Sequence, residues 1–455
     1  MNDTICALAT APGGALGIIR ISGAQSLEIL SRIFTKNLAD ARPNTIHYGH
    51  IVEQVAVPQQ QTASIVDEVL VSVFRAPHSY TGEESAEISC HGSRYILNKV
   101  LELLIQHGCR MANPGEFTQR AYLNGKMDLT QAEAVADLIA STNQATHQVA
   151  LSQLRGHFSS KLALLREKLL KLTSLLELEL DFSDHEDLEF ADRSELLKLS
   201  KEIDAHITSL ACSFETGQAL KQGIPVAIVG KTNVGKSTLL NALLKDDRAI
   251  VSDVHGTTRD TIEDTIDIQG ITFRFIDTAG IRQTQDTVEQ IGIERTYAAI
   301  EKARIVLWII DSNPSSEEIN NILQRIENKR LIVVINKTDK GNINDLTLPN
   351  HPLVSISAKF GKGIDKLEQA IYEAADIPAL TDNDIIVTNA RHYEALTRSH
   401  DCIQRVIDGL QMQLCGDLLS EDLRQTLDTI AEITGGQITP NEVLGNIFKN
   451  FCVGK

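Results

Sequence analysis

The stretch PVAIVGKTNVGKS, residues 225–237, decides the fold of the central part of the chain. Its first residues form an apolar run that predicts a buried strand, and GKTNVGKS fits the pattern G-x-x-x-x-G-K-[ST]. In such a loop, backbone N–H groups and the N-terminus of the following helix bind phosphate. We therefore expect Lys236 to reach the β- and γ-phosphates of a nucleotide and Ser237 to ligate Mg²⁺.

Three further apolar runs follow, each ending in polar residues or glycine: FRFIDTAG (273–280), RIVLWIID (304–311) and LIVVINKTD (331–339). Helical patterns separate them. Strands that are apolar along their whole length and alternate with helices are typical of a parallel sheet covered on both faces. The sequence therefore predicts an α/β P-loop domain over residues 218–378.

Two motifs are expected at the phosphates. In DTAG (277–280), Asp277 would hold Mg²⁺ through a water and Gly280 would donate its N–H to the γ-phosphate. In GTTRD (256–260), Thr258 is placed to ligate Mg²⁺ only when the γ-phosphate is present, although a polar loop turn explains that motif equally well. Lys236 and Asp277 are the catalytic residues that these motifs indicate.

NKTD (336–339) identifies the base. Asp339 accepts two hydrogen bonds from guanine N1–H and its exocyclic amine, a pair that adenine lacks. Asn336 faces the other edge of the base, the Lys337 stem packs on the ring, and SAK (357–359) supplies backbone contacts. The residues expected to contact GTP are Asn233, Val234, Gly235, Lys236, Ser237, Thr238, Ser252, Asp253, Val254, His255, Gly256, Thr257, Thr258, Asp277, Thr278, Ala279, Gly280, Asn336, Lys337, Asp339, Ser357, Ala358 and Lys359.

The way in which water is activated differs from that of small signalling GTPases. Those enzymes place a glutamine after DTAG, whereas Ile281 stands there in this chain. The amide of Asn233 could bind a monovalent cation that carbonyls of residues 252–258 also surround. Glu289 is a candidate to orient the attacking water, although its residue type alone favours a solvated surface charge.

The flanking regions follow other patterns. Residues 1–122 contain the short runs GIIRIS (17–22), EVLVSVF (68–74) and AEISCHG (86–92), with one helical stretch over 93–108, which predicts an α+β domain.

Residues 123–217 and 379–455 carry leucines and isoleucines at helical spacing. The leucines from Leu151 to Leu180 predict one long amphipathic helix. We expect the two segments to form one discontinuous all-α domain, into which the α/β domain is inserted.

Composition limits the partners. The net charge of −17 argues against a protein that coats RNA by neutralising phosphates, so binding of tRNA would need a local basic patch or a second protein. The seven cysteines are scattered, which favours a reducing, cytoplasmic environment. No run of 18 apolar residues and no secretory signal is visible, so no membrane association is expected.

From residue 3 to residue 455 the chain resembles the MnmE (TrmE) family of tRNA modification GTPases. The specific marks lie outside the nucleotide motifs: DTICALAT (3–10), GIIRISG (17–23), SYTGEE (79–84), PGEFTQRAYLNGKMDLTQAEAVADLI (114–139) and FCVGK (451–455).

The resemblance implies a specific activity. The family adds a carboxymethylaminomethyl-type group at C5 of the wobble uridine of certain tRNAs, using a one-carbon unit of tetrahydrofolate (5-formyl or 5,10-methylene). It acts with MnmG (GidA), the partner that carries FAD and is expected to provide most of the grip on tRNA. The resemblance also implies a homodimer through the folate-binding N-terminal domain, and a conformational cycle driven by K⁺-dependent dimerisation of the GTPase domains.

Site residues follow from the same resemblance. K⁺ ligation falls on Asn233, Ser252, Val254 and Thr257, Mg²⁺ ligation on Ser237 and Thr258, and water positioning on Glu289. Folate contacts fall on Arg20, Glu87, Lys126 and Lys455, beside Cys452 in the tail.

Two other classes of GTPase remain as alternatives. A ribosome-assembly switch would dock on RNA without modifying it, and it predicts a basic RNA-binding module. A dynamin-like membrane-remodelling GTPase predicts a lipid-binding segment. Neither feature is found in the sequence.

Overall fold

A computed structural model describes residues 3–57, 60–181, 193–245, 264–276, 298–326, 329–341, 348, 351–378, 384–436, 441–449, 451, 452 and 454. The chain divides into two compact units. The first comprises Met1–Ala140, Ala150–His206 and Ala395–Lys455, and the second comprises Ser141–Val149 and Ile207–Glu394. All seven cysteines are free thiols. None of the helices in the described ranges is both long and apolar enough to cross a membrane.

Thirteen helices lie in the described ranges of the two units. Their bounds are α1 Ser26–Ile33, α2 Arg94–Gln106, α3 Glu116–Leu123, α4 Leu129–Ala140, α5 Gln144–Leu154, α6 His157–Asp181, α7 Arg193–Gln222, α8 Lys236–Lys245, α9 Ser316–Arg325, α10 Ile364–Ala374, α11 Ala390–Gln411, α12 Gly416–Thr434 and α13 Asn441–Phe448.

The first unit contains a sheet near its N-terminus. Within the described ranges its strands are β1 Thr4–Leu8, β2 Leu16–Ser22, β3 Thr45–Val57, β4 Gln60–Phe74, β5 Ser85–His91 and β6 Cys109–Met111, in the order β3-β4-β5-β2-β1-β6. Every neighbouring pair is antiparallel except β1 and β6. Buried leucines and isoleucines of α1 and α2 join the apolar side chains of the strands in one core, so this sheet with its two helices matches the α+β pattern of the sequence.

The long helix expected from Leu151 to Leu180 was a wrong prediction. The structure has two helices, α5 and α6, which are interrupted at Gly156. Gly156 has φ +83°, a left-handed conformation that glycine adopts without the steric cost of a side chain, and its N–H donates to the carbonyl of Gln153. The leucine spacing continues across the break, which explains why periodicity alone did not reveal it.

The second unit is built on a mostly parallel sheet. Within the described ranges its strands are β7 Ile224–Val229, β8 Asp264–Ile268, β9 Ile271–Ile276, β10 Ile305–Ile310, β11 Arg330–Ile335 and β12 Leu353–Ser355, in the order β12-β11-β10-β7-β9-β8. Among the strands of this unit that the structure describes, only β8 and β9 pair antiparallel. All six residues of β10 are buried, as expected for a strand covered on both faces.

The order of the strands indicates where a ligand fits. β7 lies between β9 and β10, and the chain builds the sheet outward on both sides of β7. In open α/β sheets, ligands bind beyond the carboxyl ends of the strands at such a point of divergence. The loop that follows β7 is residues 230–235 of the phosphate-loop pattern.

Candidate functional site

The phosphate loop requires unusual backbone conformations at three positions. Gly230, Asn233 and Gly235 have φ values of +150°, +65° and +101°. A Cβ atom on Gly230 would lie 2.4 Å from the carbonyl oxygen of Ile309, and one on Gly235 would lie 2.3 Å from Asn336 Nδ2. Glycine is therefore needed at both places for close approach as well as for backbone conformation.

Lys236 is the first residue of α8, and its ammonium folds back over this loop. Nζ donates to the carbonyl oxygens of Gly230 at 2.6 Å and Lys231 at 2.9 Å. Burial lowers the pKa of Lys236 from its ordinary value. Together with Ser237 and Thr238 in the first turn of α8, this ammonium makes the end of the loop a site for an anion.

Asn336 connects the phosphate loop to the segments that the sequence assigns to the base. Its side chain is buried, Nδ2 donates to the carbonyl oxygen of Val234 at 2.8 Å, and Oδ1 accepts from the N–H of Ala358 at 3.0 Å. Three motifs therefore meet at one amide, although Val234 is 102 residues and Ala358 is 22 residues away from Asn336 in sequence. The sequence predicted each motif but not this connection.

The carboxylate of Asp339 is exposed at the same edge of the sheet. Its Oδ1 accepts a hydrogen bond from Ser357 Oγ at 2.6 Å, and this bond is the largest cause that lowers the pKa of Asp339. Asp339 is therefore ionised at neutral pH and is an acceptor for N–H groups of a ligand. The neighbouring Thr338 fixes the segment by donating from N and Oγ1 to the carbonyl of Ile356.

The ammonium of Lys337 contacts the phosphate loop. It donates to the carbonyl oxygen of Asn233 and forms an ion pair with Asp311 at 2.7 Å. Sequence reasoning placed the stem of Lys337 against a base but missed Asp311. The available signal was the carboxylate that ends the apolar run RIVLWIID, at the carboxyl end of a central strand.

Several expected residues lie outside the described ranges. They are Ser252, Asp253, Val254, His255, Gly256, Thr257, Thr258, Asp277, Thr278, Ala279, Gly280, Glu289 and Lys455. Of the expected metal ligands, Asn233 and Ser237 are described. An amide oxygen and a hydroxyl oxygen are hard donors of the kind that K⁺ and Mg²⁺ take, so both residues fit the ions assigned to them.

A second cluster surrounds Arg20 in the first unit. Arg20 on β2 is the register partner of Glu87 on β5, and its Nε and Nη2 donate to Glu87 Oε1 at 3.0 and 2.7 Å. Nη1 donates to the carbonyl oxygen of Gly454 at 3.1 Å. The guanidinium carbon lies 5.5 Å from the ring centre of Tyr80 and 5.7 Å from that of Phe117, within the range of cation–π attraction.

Lys126 lies beside the loop that carries Tyr80. Its exposed ammonium donates to the carbonyl oxygen of Pro77 at 3.0 Å, and Asn124 Nδ2 donates to the carbonyl oxygen of Thr81 at 2.7 Å. Arg20, Glu87 and Lys126 therefore gather around one loop, a cationic setting that fits the carboxylates of a folate. Cys452 is exposed and lies two residues before Gly454. The carbonyl oxygen of Cys452 accepts a hydrogen bond from the N–H of Gly115 at 3.4 Å.

The loop that carries Tyr80 is held by a buried ionic network that the sequence did not reveal. Arg120, only 1% exposed, donates to Asp3, Glu83 and Glu116. Burial alone would raise the pKa of Glu116, but hydrogen bonds from Arg110, from the N–H of Asn113 and from Arg120 outweigh it, so its pKa is lowered. The network fixes the start of α3, and hence Phe117, against the loop.

The chain is similar to known proteins along almost its whole length. A family model described as the MnmE helical domain matches residues 129–452, and one described as the GTP-binding protein TrmE N-terminus matches residues 4–126. The protein named tRNA modification GTPase MnmE of Bacteroides thetaiotaomicron is 56% identical, with 100% of both chains covered. Its namesake from Phocaeicola vulgatus is 54% identical, over 100% of this chain and 99% of its own.

A solved structure was also matched. The G domain of the FeoB iron transporter of T. maritima is 24% identical, covers 34% of this chain and 99% of its own, and has a TM-score of 0.25, too low to bear on the fold. The two family models and the full-length relatives point to the same family. The chain belongs to the MnmE (TrmE) family of tRNA modification GTPases.

Proposed function

We propose that this protein hydrolyses GTP with the help of K⁺ and Mg²⁺ and thereby serves the modification of the wobble uridine of certain tRNAs. The observation that carries the proposal is the position of Asn336. Its side-chain amide holds the phosphate loop through Val234 and the SAK segment through Ala358. These bonds support the proposal, because they connect the loop expected at the phosphates to the segment expected at the base, and a connected site loses less entropy on binding.

Selection of guanine rests on Asp339. An ionised carboxylate accepts from both guanine N1–H and the exocyclic amine, whereas adenine offers one donor and one acceptor at the same edge. The hydrogen bond from Ser357 orients this carboxylate. Lys236 is positioned to follow the phosphates, because its ammonium already lies over the loop.

Hydrolysis requires a group that neutralises the charge developing on the phosphates. A K⁺ ion supplies that charge when it is bound by the amide of Asn233 together with Ser252, Val254 and Thr257, in place of the arginine used by other GTPases. Ser237 and Thr258 hold Mg²⁺, with Asp277 acting through a water. Glu289 orients the attacking water.

The first unit provides the one-carbon chemistry in this proposal. Arg20, Glu87, Lys126 and Lys455 bind the tetrahydrofolate that donates the carbon, and two copies of the chain associate through residues 1–122. The FAD-dependent protein MnmG supplies the redox step and most of the contacts to tRNA. Because the chain carries a net charge of −17, such a partner would supply the basic surface that tight binding of tRNA requires.

The experiment is nucleoside mass spectrometry of total tRNA from cells that lack this protein. The carboxymethylaminomethyl group at C5 of the wobble uridine should disappear, and the intact gene should restore it. A gene carrying Asp339→Asn should not restore it, whereas Asp365→Asn, which alters an exposed carboxylate of the same unit, should. Unchanged wobble nucleosides in the deletion strain would refute the proposal.

A further inference from the structure

The contact between Lys337 and the phosphate loop depends on a carboxylate to which neither the nucleotide motifs nor the family resemblance gives a role. Lys337 Nζ donates to the carbonyl oxygen of Asn233 and at the same time to Asp311 Oδ2 at 2.7 Å. Asp311 follows the last residue of β10, the strand that lies between β7 and β11 in the sheet. It therefore stands between the strand that leads into the phosphate loop and the strand that leads into NKTD.

The geometry at both ends of this link is constrained. Asn233 and Lys337 both have positive φ, +65° and +62°, which is uncommon for residues other than glycine. Such conformations persist when surrounding contacts fix them. The hydrogen bond from the Lys337 ammonium to the carbonyl oxygen of Asn233 is such a contact, because it joins these two residues.

Asp311 holds the ammonium in that position. The side chains of Lys337 and Asp311 are 30% and 29% exposed, so the pair is partly shielded from water on both sides. The hydrogen bond from Lys337 is the largest cause that lowers the pKa of Asp311, so the carboxylate is charged at neutral pH. Without this carboxylate, one carbonyl oxygen remains as the partner of a strongly hydrated ammonium, so we expect Lys337 to turn toward solvent.

We propose that Asp311 is a positioning residue for the nucleotide: it holds Lys337 on the carbonyl of Asn233 and so fixes the phosphate loop at the residue assigned to K⁺. This inference rests on the proposed function, because it concerns the same guanine-nucleotide site. It assigns to Asp311 control over the rate of nucleotide release and over the K⁺ concentration that hydrolysis requires.

The test uses Asp311→Asn in the full chain, with Asp376→Asn as the matched control. Asp376 forms an ion pair with Arg330 at 2.7 Å in the same unit, but both partners are more exposed and neither contacts the phosphate loop. The first measurement is the dissociation rate of a fluorescent GDP analogue. We expect Asp311→Asn to accelerate it roughly threefold to tenfold and Asp376→Asn to leave it unchanged.

A second measurement separates positioning from general loosening of the fold. The K⁺ concentration for half-maximal GTP hydrolysis should rise in Asp311→Asn and stay the same in Asp376→Asn, while Asp311→Glu, which keeps the charge, should restore part of both effects. If Asp311→Asn fails to fold, Asp311→Ser takes its place in both measurements.

The outcomes separate this inference from the proposed function. A wild-type protein that binds no GDP analogue contradicts the proposed function itself. A wild-type protein that binds it, with identical dissociation rates and K⁺ requirements in the wild type and the neutral variant at residue 311, overturns the inference alone. Equal acceleration by the variants at residues 311 and 376 also overturns it, because that result means a general effect of lost surface charge.

Discussion

The guanidinium of Arg20 donates a hydrogen bond to the carbonyl oxygen of Gly454 at 3.1 Å, so a strand near the start of the chain holds the C-terminal tail. Glu87 fixes the other edge of the same guanidinium. Three of the five N–H donors of the Arg20 guanidinium are thus engaged by this chain. A ligand carboxylate at Arg20 would bind next to the donor that holds Gly454, so under the proposed function a ligand at Arg20 and the tail that carries Cys452 are coupled.

Replacement of Arg20 by lysine tests this link. Arg20→Lys keeps the charge, but an ammonium cannot reproduce the planar fork that reaches Glu87 and Gly454 together. We expect amide hydrogen exchange in the peptide at the C-terminus to increase at least about tenfold, which corresponds to the loss of about 1.4 kcal/mol of local stability. Arg32→Lys, at an exposed pair with Glu28, is the control. Unchanged exchange in Arg20→Lys would show that the tail is held by other contacts.

The specificity for guanine should follow the donor and acceptor pattern at residue 339. Asp339→Asn replaces one carboxylate oxygen by an NH₂ group, which opposes the guanine amine but can donate to the C2 carbonyl of xanthine. We expect affinity for GTP to fall about 100-fold and affinity for xanthosine triphosphate to rise, as measured by fluorescence titration. Asp365→Asn should bind GTP as the wild type does. An unaltered ratio of the two affinities in Asp339→Asn would remove this residue from base recognition.

The phosphate loop should not tolerate a methyl group at Gly235. Its φ is +101°, and a Cβ atom would lie 2.3 Å from Asn336 Nδ2. We expect Gly235→Ala to weaken GDP binding at least about tenfold, because the buried amide that joins the loop to the SAK segment must move. Gly13 is a matched control, since its φ is +103° and a Cβ atom there would meet nothing within 4 Å. Equal GDP affinity of both variants in a calorimetric titration would contradict the role given to the contact with Asn336.

The stability of α3 should depend on the charge of Glu116 at its first position. The pKa of Glu116 is lowered in the folded state, so its charge stabilises that state above the unfolded pKa of about 4.3, and the contribution is lost as the pH falls through the lower, folded value. Glu116→Gln leaves Arg120 buried without this charge. We expect Glu116→Gln to lower the free energy of unfolding by about 3 kcal/mol at pH 7. The difference in stability between this variant and the wild type should narrow below about pH 4.

The measurement is hydrogen exchange of α3 amides across that pH range. Glu28→Gln is the control, because Glu28 also pairs with an arginine four residues later but is 63% exposed. It should change stability by less than about 1 kcal/mol at every pH. If the difference in stability between Glu116→Gln and the wild type stays constant from pH 7 to pH 3, then packing of the side chain, and not its charge, stabilises this site.

Much of the second unit could be predicted because its signals are local. The runs ending at Val229, Ile310 and Ile335 are apolar throughout, and they form central strands of the observed sheet. The edge strand β12, Leu353–Ser355, is only three residues long and was not predicted. So short a segment shows no usable periodicity, and its pairing with β11 decides its conformation.

Contacts between distant segments could not be read from the sequence. The sequence predicted Asn336, Val234 and Ala358 as parts of separate motifs, but the buried amide that joins them depends on how the loops fold over the strand ends. Arg120 lies in the family-specific stretch over residues 114–139, but the sequence does not show that it is buried, with Asp3, Glu83 and Glu116 around it. Burial of a charge is set by tertiary partners, which leave no periodic pattern in the chain.

The most direct test of the central claim is release of phosphate by the purified protein from GTP and from ATP, in KCl and in NaCl. We expect hydrolysis of GTP in KCl, several times slower hydrolysis in NaCl with GDP binding retained, and no measurable hydrolysis of ATP in either salt. Equal rates with GTP and ATP would contradict the proposed function, because adenine lacks the pair of donors that the carboxylate of Asp339 is expected to bind.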